Sequence, residues 1–197
     1  SNLGGVIHCR TSGGVTVNGG TYTGNTALSG GAFCADTNSS LTINNAVIRE
    51  NESTFVNPDS SGTYNSQMGG GAVSITGGSL TVSGTSFSKN KSVYYGGTIH
   101  AMGSAVTIKD NTTASESTGK TGSALYLRDS SVTTIENSSI LNNKDAGSGV
   151  IFLNSGSLDM TNVTASGNSA VNGGVLYVSG AATSVTLKNS KWSENSA

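Results

Sequence analysis

Residues Gly70–Asn90 read GGAVSITGGSLTVSGTSFSKN, three short alternating runs (Ala72–Ile75, Leu80–Val82 and Ser86–Asn90), each closed by Gly, Ser or Asn. A period-two apolar run bounded by turn formers is a strand signal. Three such runs within about 25 residues bury too little alone, so the unit must lean on copies of itself. The copies are present. Aligned on the glycine pair or its equivalent, they fall at Gly5, Gly31, Gly71, Gly97, Ser123, Gly149 and Gly174, with steps of 26, 40, 26, 26, 26 and 25 residues. The long step holds about 14 extra residues, a loop insertion placed at 52–68.

Within each copy the first run puts apolar residues at alternate positions, as in Phe33/Ala35, Val73/Ile75 and Leu125/Leu127. Side chains alternate across a strand, so this face points inward. The position between them reads His8, Cys34, Ser74, His100, Tyr126, Phe152, Tyr177 and is expected to point out. The second run sends Leu41/Ile43, Leu80/Val82 and their counterparts inward, with a threonine column outside. In Val132-Thr-Thr-Ile135 both end residues are expected inside, with a bulge between them. Turns follow at Gly19, Asn45, Gly84, Asp110, Asn137, Asn162 and Asn189, residue types that tolerate a left-handed backbone.

The third run brings Tyr22, Ile48, Phe87, Thr113, Ile140, Ala165 and Trp192 inward. Three residues later stand Asn25, Asn51, Asn90, Glu116, Asn143, Asn168 and Asn195. A repeated inward asparagine forms an amide ladder from coil to coil. The expected break is Glu116, which with Thr113 marks the fourth coil as the weak one. Three strands per turn, stacked in register, make an all-β, parallel β-helix of about seven coils, read as a single segment over 1–197 of a longer array. Its hand is expected to be right, from the crossover preference.

The quoted motifs also carry a resemblance. GGA followed by an aliphatic residue (Gly70-Gly-Ala-Val73) and Phe-x-x-Asn (Phe87-Ser-Lys-Asn90) resemble the paired repeats of chlamydial polymorphic membrane proteins and related adhesin-like surface proteins. Tyr22-Thr-Gly-Asn-Thr-Ala27 and Trp192-Ser-Glu-Asn-Ser-Ala197 look like relaxed forms, while Gly122-Ser123 and Ser148-Gly149 degrade the pair. The resemblance implies an extracellular or cell-surface passenger-type β-helix used in adhesion, and agrees with a right-handed coil.

Composition bounds the functions. Net charge is −1 and the 10 basic residues are scattered, which leaves no electrostatic footprint for nucleic acid. No apolar run reaches the ~18 residues of a membrane helix, so no direct membrane insertion is expected. No leader is visible, and any targeting or anchoring segment is expected elsewhere. The two cysteines match no metal spacing and should be free thiols, Cys9 in and Cys34 out. The two histidines, His8 and His100, are too few for a zinc site by themselves. No cofactor or metal is expected.

The partner expected is a protein or glycan on another cell surface, or further coils of the same chain. Candidate contacts are Phe55 and Tyr64 in the insertion with Tyr94 and Tyr95 at the same corner one coil later. Deleting Asn57–Gln67 should leave folding intact and weaken such binding. The outward rings Tyr126, Phe152 and Tyr177 form a second candidate, against a default of cross-coil packing. The threonine column resembles the hydroxyl faces of ice-binding solenoids, but Asp159 interrupts it and hydroxyl ladders are ordinary strand stabilisers. The alternative to a non-catalytic adhesin or stalk is a polysaccharide-active, pectin-lyase-like β-helix or carbohydrate-binding solenoid with catalytic residues partly outside this segment. Hydrolysis needs paired carboxylates, and the nearest cross-coil pair, Asp110 with Glu136, lies at a turn without an adjacent basic partner. Arg10 over Asp36 and Arg128 beside Asp129 read as surface ion pairs. Sequons at Asn38, Asn111, Asn137 and Asn162 are open to glycosylation; those at Asn51 and Asn90 are expected to be blocked by burial.

Overall fold

In the quoted coil, strands run over Val73–Thr76, Ser79–Ser83, Ser86–Ser88 and Lys91–Ser92. This is a computed structural model, which describes residues 3–56 and 68–197. Every pairing of these strands is parallel and links one coil to the next. The column Ile7, Phe33, Val73, Ile99, Leu125, Ile151, Leu176 is matched residue for residue along the sheet. Among the described residues the strands form sheets of 11, 7 and 5 strands. The first two runs of each coil share the 11-stranded sheet, and in the last three coils they fuse into single strands, Leu125–Glu136, Ile151–Thr161 and Leu176–Lys188. The 5-stranded sheet is built from short segments after the asparagines, which the sequence pattern did not show.

One apolar cluster fills the interior, with Phe33, Val73, Ile75, Leu127 and Ile151 inaccessible to solvent. All seven expected turn residues lie in the left-handed region, with φ from 46° at Asn137 to 71° at Gly19. The glycine pair divides its labour. Gly70 is left-handed at φ 74°, whereas Gly71 has an ordinary φ and is needed for close approach of neighbouring backbone. In the sixth coil Gly149 itself takes the left-handed turn at φ 65° and Ser148 ends a strand.

Two columns depart from expectation. The turn after Lys109 holds two left-handed residues, Asp110 and Asn111, where the preceding coil has only Gly84. That added residue shifts the fourth coil by one. Ala114, not Thr113, pairs with Phe87 and Ile140, and Ser117, not Glu116, occupies the asparagine column. The fourth coil is still poorly filled: a small apolar void lies beside Ala114, lined by Phe87, Ile99 and Ile140. In the fifth coil Thr133 pairs with Val106 and Leu158 and is buried, leaving Val132 57% exposed. Register overrides hydrophobicity there, and Thr133 Oγ1 is left without a hydrogen-bond partner. The irregularity falls between Arg128 and Ser131 instead.

The asparagine ladder is present. Asn51 Oδ1 accepts from Asn25 N and Nδ2 at 3.0 and 2.8 Å, and Asn90 Oδ1 accepts from Asn51 N and Nδ2 at 3.1 and 3.0 Å. It resumes through Asn143, Asn168 and Asn195, each step a pair of 3.0 Å bonds. At the gap, the Ser117 N–H donates to Asn143 Oδ1 at 2.9 Å.

Candidate functional site

The column expected to face solvent does lie on the outer wall, but it is largely covered: Cys34 is 5%, Ser74 2%, His100 0% and Tyr126 5% exposed. Corner segments fold over it. A methyl group on Gly69 would sit 3.1 Å from the His100 ring and 2.4 Å from the Tyr95 carbonyl oxygen, so this backbone lies directly on both.

Along the wall the rings stack. His100–Tyr126, Tyr126–Phe152 and Phe152–Tyr177 have centroids 5.4, 5.0 and 5.5 Å apart and interplanar angles of 8°, 6° and 9°. Parallel strands lie ≈ 4.8 Å apart, which sets this spacing. Tyr95 then reaches Tyr126 at 4.5 Å and Tyr94 at 5.9 Å, and the Lys120 ammonium stands 4.9 Å over the Tyr94 ring. The corner pair and the wall column are therefore one aromatic strip. Burial pushes the Tyr126 phenol above its ordinary range, with Arg128 pulling the other way.

Phe55 is only 8% exposed, so its ring is withdrawn from partners. Tyr64 and the span 57–67 lie outside the described residues. Cys9 and Cys34 are free thiols and both are buried, so Cys34 points outward without being exposed. Burial, then the Asp36 charge, push the Cys34 thiol up to about 12. Of the expected ion pairs, Arg10 Nε stands 4.0 Å from Asp36 Oδ2 and Arg128 Nε 3.1 Å from Asp129 Oδ1. Asp110 does have a basic neighbour, Lys109 Nζ at 3.6 Å, and also accepts from Ser83 Oγ at 2.8 Å. Asn51 and Asn90 are inaccessible, while the other four sequon asparagines are exposed.

Asp145 is a buried ionisable group without a salt bridge among the described residues. Its Oδ2 accepts from Ser123 N at 2.8 Å and its Oδ1 from Gly147 N at 2.7 Å. It thereby holds the corner where serine replaces the usual glycine. Burial outweighs these bonds and raises the carboxyl from 3.8 to about 6. Between those values the unfolded chain has released the proton and the folded chain still binds it. Stability therefore falls as pH rises from about 4 to 6, then levels off. Thermal unfolding of the wild type and Asp145→Asn across this range should show the slope in the first and its loss in the second.

These features define a parallel β-solenoid with a covered aromatic wall. The family described as "Right handed beta helix region" matches residues 5–196, and the chain belongs to it. No curated protein and no solved structure matches the chain.

Proposed function

We propose that the chain is a non-catalytic extracellular module, an adhesin or stalk, that holds a protein or glycan on another cell surface. The observation that carries this reading is the joining of Tyr94, Tyr95, Tyr126, Phe152 and Tyr177 into one strip along the outer wall. Stacking occupies the ring faces inside the strip, so ring edges remain for contact, and Tyr94, Phe152 and Tyr177 are all half-buried rather than closed off. Amphipathic aromatics with a lysine beside them suit either a protein hot spot or a sugar edge. The GGA-aliphatic and Phe-x-x-Asn repeats support a passenger-type module like those of the polymorphic membrane proteins, with cell-surface placement following from that likeness.

A glycan array combined with turnover assays on acidic polysaccharides tests the reading. Binding without turnover is expected; cleavage of any polysaccharide would overturn it. Tyr94→Ala and Tyr177→Ala should each weaken the captured partner at least tenfold, about 1.4 kcal/mol, measured by titration. Affinity unchanged in both would assign the strip to packing within the sheet alone.

A further inference from the structure

We infer that His8, Cys34 and Asp36 form a site for a zinc ion, bound through one imidazole nitrogen, one thiolate and one carboxylate oxygen. The coil register makes the cluster. His8 pairs directly with Cys34 in the neighbouring coil, and Asp36 lies two residues beyond Cys34, hence on the same outer face. His8 Nε2 stands 2.7 Å from Asp36 Oδ2 and Cys34 Sγ 3.8 Å from Asp36 Oδ1. All three donor atoms lie within 4.8 Å of one another.

Tetrahedral zinc with bonds of about 2.0–2.3 Å places its ligand atoms roughly 3.3–3.8 Å apart. Cys34 Sγ and Asp36 Oδ1 are already near this spacing, while His8 Nε2 touches the other oxygen, Oδ2, and has to part from it as the ion enters. A mixed nitrogen, sulfur and oxygen set suits zinc and disfavours calcium and magnesium, which take oxygen ligands.

The surroundings supply access. A pocket of about 390 Å³ opens beside Cys34 and Asp36, with Ser29, Met68 and Ser74 among its walls. Three protein ligands leave the fourth zinc position to water from this pocket. Arg10 is the opposing charge, but its side chain is 75% exposed and touches Asp36 only at 4.0 Å, so it is free to swing away. As the Zn–S bond forms, the thiol releases its proton to solvent. The site is independent of the adhesive reading, since neither needs the other.

The test is titration of the 197-residue chain, prepared without a histidine tag, with Co²⁺ and then Zn²⁺. Cobalt should give a thiolate-to-metal charge-transfer band that zinc removes. The band should vanish in Cys34→Ser and survive in Cys9→Ser. His8→Gln and Asp36→Asn should each weaken binding at least tenfold. On the unaltered chain, zinc should also slow alkylation of Cys34 and raise the unfolding midpoint, a readout that stands if any variant fails to fold. Absence of the band, its persistence in Cys34→Ser, or full affinity in both His8→Gln and Asp36→Asn would overturn the site.

Discussion

Gly71→Ala is expected to cost roughly 4 kcal/mol or more, enough to leave little folded protein. An ideal Cβ at Gly71 would stand 2.1 Å from the Gly97 carbonyl oxygen and 2.5 and 2.6 Å from the Lys91 oxygen and nitrogen. The obstacles are all backbone. They come from two directions, the next coil's glycine pair and the closing strand of its own coil. A flexible side chain could turn aside; these atoms move only if the coils separate. Gly31 shows the same trap, with the Gly71 oxygen at 2.1 Å and Glu52 nitrogen at 2.7 Å. Gly24→Ala is the control: its φ is +66° but nothing lies within 4 Å. Only left-handed strain remains there, about 1–2 kcal/mol. Urea unfolding followed by far-UV circular dichroism should rank wild type, Gly24→Ala and Gly71→Ala in that order. Near-equal midpoints for the two variants would mean that coil contact is looser than the geometry shows.

This contrast explains why the glycine pairs were legible in the sequence. A demand made by backbone on backbone recurs wherever the coil recurs, so it leaves a period of 26 residues behind. The inward columns are legible for the same reason. Ile7, Phe33, Val73 and Ile99 pair as their spacing requires, across the insertion as well as beyond it. The period fails where one residue is added in a turn. Asn111 is such an addition, and nothing in its identity separates it from the asparagines that make ordinary turns. Ala114 and Ser117 therefore occupy the columns one residue beyond Thr113 and Glu116, where the period puts them. At Val132–Ile135 the departure is different in kind: apolar character favours Val132, while the ladder, fixed on both sides by Val106 and Leu158, places Thr133 inside.

The functional residues show a sharper limit. The ring column was readable as a column, but its cover was not, because Gly69 and Tyr95 reach it from corners that periodicity does not describe. The His8–Cys34–Asp36 cluster was readable in principle. His8 and Cys34 are one coil apart and Asp36 shares their face, so the alignment already held the neighbours. Linear metal-motif spacings do not contain such sets, since in a solenoid the relevant separation is the coil length.

Asn90→Ala is expected to destabilise the chain by roughly 3–5 kcal/mol. The Asn90 side chain is inaccessible and bonded at both polar atoms: Oδ1 accepts from Asn51 N and Nδ2, and Nδ2 donates to the Ile48 carbonyl at 2.9 Å. Truncation leaves the buried N–H and one side-chain amide proton of Asn51 without partners, each costing about 1–3 kcal/mol, and removes a bond from the Ile48 carbonyl. Asn51 keeps its Nδ2 bond to the Tyr22 carbonyl at 3.0 Å and still accepts from Asn25 through Oδ1, so the lower part of the ladder is loosened rather than dissolved. Asn195→Ala should cost clearly less. Its side chain is half-buried, and water can reach groups left behind by its removal. Asn90→Asp separates shape from chemistry: it keeps the acceptor, loses the donor at neutral pH and buries a charge, so its defect should ease in acid as the carboxyl regains a proton to donate. Denaturant midpoints at pH 7 and pH 4 measure all three. If Asn90→Ala leaves the midpoint in place yet weakens partner binding, the repeated asparagine is a recognition residue; loss of stability comparable to the estimate keeps it as the fastening between coils.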